Sequence, residues 1–161
     1  MAKKSDKNKT NAARQLDTQG IKYRIFSADD PEEFLSGVEM AEKIGVAPGV
    51  VFKTLVTKGP GAVNYVCVIP SDKELDLKKA AKHFSEKKIE MLPSKDILAV
   101  TGYIKGGCSP IGMKKLFATA IDDSALSFGE IYVSAGRRGM QLLVAPADLA
   151  SVINAKFAPL T

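Results

Sequence analysis

The chain has 161 residues, 45% hydrophobic and 25% charged, with a mean hydropathy of −0.01. That composition fits one globular domain, and at this length a single core can hold the fold without disulfides or a structural metal. The two cysteines, Cys67 and Cys108, stand in unrelated contexts and the one histidine is His83, so neither a disulfide scaffold nor a Cys/His zinc site is expected. No apolar run approaches the ~20 residues of a membrane helix, and the N-terminus lacks the apolar stretch of a secretory signal, so a cytoplasmic protein with no membrane partner is expected. The net charge of +5 favours a polyanionic partner. Lys3, Lys4, Lys7 and Lys9 read as a solvated, flexible basic tail over residues 1–9, with one domain spanning 10–161.

After the tail, Ala12, Ala13 and Leu16 recur at helical spacing, and Gly20 suits a helix end. Residues 21–26 alternate apolar and polar, which predicts a half-buried strand with Ile21, Tyr23 and Ile25 on its inner side. Ser36 and Glu39 form a capping-box pattern, followed by Val38, Ala41 and Ile44 on one helical face and Gly45 as terminator. The runs at 50–57 and 63–69 predict adjacent antiparallel strands, with Gly59 and Gly61 supplying the turn.

Residues 76–88 place Leu77, Ala80, Ala81 and Phe84 on one face and Lys78, Lys79, Lys82, Lys87 and Lys88 on the other, an amphipathic helix with a basic outer side. A second helix is expected over 94–100, ended by Gly102. The density of glycine and proline over 106–112 then excludes helix or central strand. Strands are expected at 116–121, 131–134 and 140–144, and Pro146 opens a last helix. The order of elements argues for an α/β domain with a mixed sheet and helices packed around it.

Lys53 interrupts an otherwise apolar strand, on the same face as Val51 and Leu55. It reads equally as a cation needing a partner in a buried site or as an edge charge. Glycines at 106, 107 and 112 let backbone amides approach a phosphate or an oxyanion, although the loop matches neither common nucleotide-binding fingerprint and alone reads as a surface loop. Cys108 lacks a neighbouring base and is not expected to be a nucleophile. His83 reads as a solvated helix residue and Cys67 as core packing. Arg137 and Arg138, flanked by Gly136 and Gly139, offer forked donors on a turn that is equally an ordinary cationic hairpin. No Ser/His/Asp set, carboxylate pair or metal motif stands out.

Three segments change this balance when taken together: Val51-Phe52-Lys53-Thr54-Leu55, Thr101-Gly102-Tyr103-Ile104-Lys105-Gly106-Gly107-Cys108-Ser109-Pro110-Ile111-Gly112, and Tyr132-Val133-Ser134-Ala135-Gly136-Arg137-Arg138-Gly139. In order and spacing they resemble the YbaK/EbsC family of aminoacyl-tRNA deacylases, over nearly the whole chain after the tail. The resemblance implies a strongly curved mixed sheet, a partial barrel, surrounded by helices. It also implies cofactor-independent hydrolysis of misacylated tRNA, most typically Cys-tRNA(Pro), with tRNA and prolyl-tRNA synthetase as partners and neither DNA nor a metal involved. Lys53 matches the family's essential lysine. By the same resemblance Gly106, Gly107, Ser109, Pro110 and Gly112 wall the acyl pocket, while Ser134, Gly136, Arg137 and Gly139 complete it. Lys78, Lys79 and Lys82 are expected to meet RNA backbone. In the mechanism proposed for the family the substrate's own thiol attacks its carbonyl, so no protein nucleophile is required. Two positions depart from cysteine-editing members, Ala28 in place of a tyrosine and Gln141 in place of an acid, which leaves alanine or another small residue open as the acyl group.

Overall fold

A computed structural model describes residues 9–27 and 35–161. The basic tail, apart from Lys9, and Ala28 lie outside the described residues. Lys9 itself pairs with Asp17 at 2.7 Å.

Local signals in the sequence act where they stand. Helix α1 (Asn11–Thr18) starts where the Thr10 hydroxyl accepts the Ala13 N–H, and it buries Ala12, Ala13 and Leu16. Helix α2 (Gly37–Ile44) carries the full capping box: Ser36 Oγ accepts from the Glu39 N–H and Glu39 Oε1 from the Ser36 N–H, each at 3.1 Å. Such a cap contributes about 1 kcal/mol. Helices α3 (Leu77–His83), α4 (Ile97–Thr101) and α5 (Pro146–Ile153) complete the helical set among the described residues.

The strands are β1 (Arg24–Ser27), β2 (Phe52–Lys58), β3 (Asn64–Pro70), β4 (Glu90–Met91), β5 (Ala118–Asp122), β6 (Ile131–Ser134), β7 (Met140–Val144) and β8 (Lys156–Ala158). They form two sheets, of order β1-β7-β6 and β4-β2-β3-β5-β8. The first is antiparallel; in the second, β2 and β3 are antiparallel while β3, β5 and β8 run parallel. A parallel bridge between Val51 and Tyr132 ties the start of β2 to β6. The expected mixed sheet within an α/β domain is therefore present as two sheets meeting at β2, and they do not close into a barrel.

Strand β2 separates three apolar clusters. Phe52 points into the main one with Val66, Val68, Ile121, Val133, Leu142 and the inner face of α1. On the opposite face, Leu55 packs with Cys67, Ile69, Ala80 and Leu160, and Val51 with Ala41, Tyr132 and Leu143. Period-two alternation thus sends one strand into different layers.

Two expectations need correction. The basic helix stops at His83, not residue 88: Ser85 takes φ 58°, and Ile89 turns back into the second cluster to start β4. The first strand begins at Arg24, with Ile21 and Tyr23 packing against the main core before the ladder starts. Ile25 pairs with Leu142 of the main cluster on the expected side but is 36% exposed, while Phe26 packs on the other side, edge-on to Tyr132 at 5.3 Å.

Candidate functional site

Register brings together residues that are far apart in sequence. Ser134 pairs with Gln141, and Gln141 pairs with Phe26, so these three side chains form one row across the first sheet. The bridge sets Val51 beside Tyr132, and Lys53 and Ser134 lie two residues further along, each on the same face of its own strand as the bridged residue. Between that bridge and the short pairing of Thr57 and Lys58 with β4, the two sheets part. Lys53 stands at this fork, half-buried, and among the described residues no hydrogen bond or ion pair engages its ammonium. This half-buried position accords with either role open in the sequence.

Gln141 is only 9% exposed, and its Oε1 is buried without a hydrogen-bond partner among the described residues. A buried amide oxygen left unpaired costs about 1–3 kcal/mol, so its place in the row needs a reason. Ser134 Oγ accepts the Gly136 N–H at 3.2 Å, which shapes the turn that follows. Thr54 Oγ1 is also unpartnered, but it points to the other face of β2.

The glycine-rich loop and the Arg turn meet directly. Gly107 is buried, and a Cβ there would lie 3.2 Å from the Arg138 nitrogen and 3.3 Å from the Arg137 carbonyl carbon. Arg138 Nε donates to the Lys105 carbonyl at 3.0 Å. Ser109 and Pro110 are buried, with Ser109 Oγ accepting the Ile111 N–H, whereas Gly106 and Gly112 are exposed. On the turn, Gly136 is half-buried, Arg137 exposed and Gly139 buried. The structure thus sets Phe26, Gln141 and Ser134 in one row and lays the glycine-rich loop against the turn that begins at Ser134, while Lys53 follows the Val51 bridge to that sheet. A small pocket of about 90 Å³, lined by Gln15, Pro110, Gly112, Leu116 and Val152, lies on the α1 and α5 side and excludes Lys53.

Cys108 is unsuited to attack. Burial pushes its thiol up to about 11, despite a hydrogen bond from Thr101 that works the other way, so it stays protonated at neutral pH. His83 is on α3, half-buried and edge-on to Phe84, with burial and then the Lys156 charge holding it below its usual value. It lies on the helix as expected, part of its surface packed on Phe84 and part in solvent. Lys78, Lys79 and Lys82 are exposed on α3, and Lys79 Nζ donates to the backbone oxygen of Thr161. The helix itself packs through Ala80 and Ala81 on the second cluster. Among the described residues no group of three or more His, Cys, Asp or Glu could hold a metal, and no helix is long and apolar enough to cross a membrane.

Fold and sequence together define the class: the model of the aminoacyl-tRNA editing domain matches residues 32–152, and the chain belongs to that family. It is 48% identical over 161 residues, 100% of this chain and 98% of the other, to EbsC of Enterococcus faecalis, whose name goes with a proposed Cys-tRNA(Pro)/Cys-tRNA(Cys) deacylase activity. Proline–tRNA ligase 1 of Streptomyces avermitilis is 30% identical over 77 residues, 48% of this chain and 14% of the ligase. A solved structure described as a proposed trans-editing enzyme for prolyl-tRNA synthetase superposes with a TM-score of 0.82, covering 94% of this chain and 98% of that one. At 22% identity that likeness speaks for the fold alone.

Proposed function

We propose that this protein is a trans-editing hydrolase that clears misacylated tRNA, with Cys-tRNA(Pro) as principal substrate and Cys-tRNA(Cys) as a secondary one. The observation that carries this reading is the full-length 48% identity to EbsC. The half-buried Lys53, where the two sheets part, supports it with suitable chemistry. An aminoacyl ester is already activated, so the protein's task is to hold the carbonyl, the terminal ribose and the phosphates in place.

Lys53 brings a cation to the fork of the sheets and orients the substrate there. Gly106, Gly107, Ser109, Pro110 and Gly112 form one wall, and Ser134, Gly136, Arg137 and Gly139 the other. The unpartnered Gln141 amide oxygen takes a hydrogen bond from the aminoacyl group. The substrate thiol attacks its own carbonyl carbon: a C–S bond forms, the ester C–O bond breaks, and the tRNA oxygen leaves with the thiol's proton. The product is a thiolactone, which water then opens. Intramolecular attack supplies the effective concentration that makes cysteine reactive, whereas serine offers a poor nucleophile and alanine none. Pocket size alone separates such side chains by only about 1–3 kcal/mol. Exposed Lys78 and Lys82 meet RNA backbone, with Lys79 beside them, and prolyl-tRNA synthetase is the partner that delivers the tRNA in the cytoplasm.

Single-turnover deacylation of Cys-, Ala- and Ser-charged tRNA(Pro), with the wild type and Lys53→Ala, tests the reading. The expected result is selective loss of the Cys charge, reduced about 100-fold or more in the variant, the scale on which oriented polar groups act. Activity on Ala-tRNA(Pro) would instead require attack by water and mark an alanine-editing enzyme. No activity on any of the three would leave a tRNA- or synthetase-binding module.

A further inference from the structure

We infer that Tyr103 is a positioning residue that locks the glycine-rich loop onto the turn at residues 134–139 and so sets the gap between them. The inference deepens the reading above and rests on it for its functional consequence. Tyr103 lies at the start of the loop, its N–H donating to Thr101 Oγ1 at 3.0 Å just beyond the end of α4. From there its side chain touches both walls. The hydroxyl donates to the Ile111 carbonyl at 2.5 Å, closing the loop upon itself across eight residues. The ring lies against Gly136, where a Cβ would come within 2.9 Å of Tyr103 Cε1. A Cβ at Gly112 would come equally close to the hydroxyl oxygen. Glycine is therefore required at both positions because the Tyr103 side chain fills the space.

Two further contacts join the same walls without Tyr103, the packing of Gly107 on the Arg turn and the bond from Arg138 Nε to Lys105. They hold the loop at Lys105 and Gly107. The tyrosine holds it at Ile111 and Gly112 and meets the turn at Gly136. Burial pushes its hydroxyl up to about 12, so it remains a donor across the working pH range. A phenol that donates to a carbonyl and presents its ring to a glycine suits a spacer of fixed length; it contributes no group to the reaction.

The test uses the full chain with Tyr103→Phe, which removes only the hydroxyl, and Tyr103→Leu, which removes the ring face as well. Amide hydrogen exchange is followed at Gly107 and Met140, whose N–H groups donate to Ile104 and Arg137. Gly59, which donates to Val63 in the distant hairpin, serves as control. Both wall amides are expected to exchange faster in the order wild type, Phe, Leu, with Gly59 unchanged. Single-turnover rates on Cys- and Ser-charged tRNA(Pro) are measured on the same samples. A looser gap narrows the Cys-to-Ser ratio by about tenfold in the Leu variant, the scale of a methylene-sized misfit. A purely structural residue would lower both rates together and leave the ratio fixed. Unaltered exchange at the two walls, or faster exchange with a constant ratio, overturns the proposal. If the wild type deacylates nothing, the functional reading falls by itself, and the coupling of the walls is decided by the exchange data alone.

Discussion

Gly61 and Gly107 stand in different connections and are glycine for opposite reasons. In the hairpin between β2 and β3, Gly61 adopts φ 72°, and a Cβ placed there would meet nothing within 4 Å, so the residue serves backbone shape alone. In the glycine-rich loop, Gly107 has an ordinary φ but is hemmed in by Arg137 and Arg138 backbone. There the missing side chain serves proximity. A glycine kept for shape marks a turn; a glycine kept for contact marks two segments that must stay together, and here those segments are the proposed walls of a site.

Replacing Gly107 with alanine puts this contrast to its largest test. The new methyl group, 3.2–3.3 Å from main-chain atoms of the Arg turn, forces the walls apart by a few tenths of an ångström. Overpacking of this kind costs about 1 kcal/mol in stability. Misplacement at a site is felt more strongly in rate, so single-turnover deacylation of Cys-tRNA(Pro) is expected to fall about tenfold. A variant as active as the wild type would show that the close contact is incidental to function.

The contrast is only partly legible in the sequence. Both glycine clusters announce loops, and the capping box at Ser36, the hairpin and the start of the basic helix all act through neighbours a few residues away, so local pattern finds them. Phe26 reaches Gln141 by a pairing across more than a hundred residues, and the bridge of Val51 to Tyr132 brings the start of β2 to the same sheet from far along the chain, which no local period contains. Local alternation finds the side of Ile21 and Tyr23 but not the packing of Phe26 on the other, for the same reason: that contact arises from the third cluster, built by distant strands. Strands β4 and β8, of two and three residues, are too short for any alternation to declare them. Among the site residues, Lys53 stands out as a cation in an apolar strand, whereas Tyr103 carries no signal of its own. Its role emerges only from the space that Gly112 and Gly136 leave for it.

The hairpin supplies a smaller effect of the opposite kind. Gly61→Ala meets no neighbour, but it forces an L side chain into a left-handed conformation, at a cost of about 1 kcal/mol. Chemical denaturation should show that loss, and deacylation by the folded fraction should be unchanged. A fall in activity beyond the folded fraction would mean that the hairpin takes part in binding tRNA, and the division between the two glycine connections would no longer hold.

The smallest expected effect concerns the aromatic group that supports this hairpin. Tyr65 stacks on Phe84 at 4.3 Å and donates to Glu86 at 2.6 Å, while His83 meets Phe84 edge-on at 4.8 Å. Burial, and then the charge of Lys156, keep His83 below its ordinary value of 6.5, so the folded chain prefers the neutral imidazole. The unfolded chain binds the proton more readily, and stability is therefore full above about pH 6.5 and declines as the pH falls below it. In His83→Gln no proton is taken up at this position, and the urea midpoint should fall less steeply between pH 6.5 and 5 than in the wild type. If the two slopes coincide, the imidazole is as easily protonated in the fold as out of it. Because His83 lies on α3 and not on β2 with Lys53, the pH dependence of deacylation by folded protein should be the same in both, so that stability and rate respond to acid through different regions of the molecule.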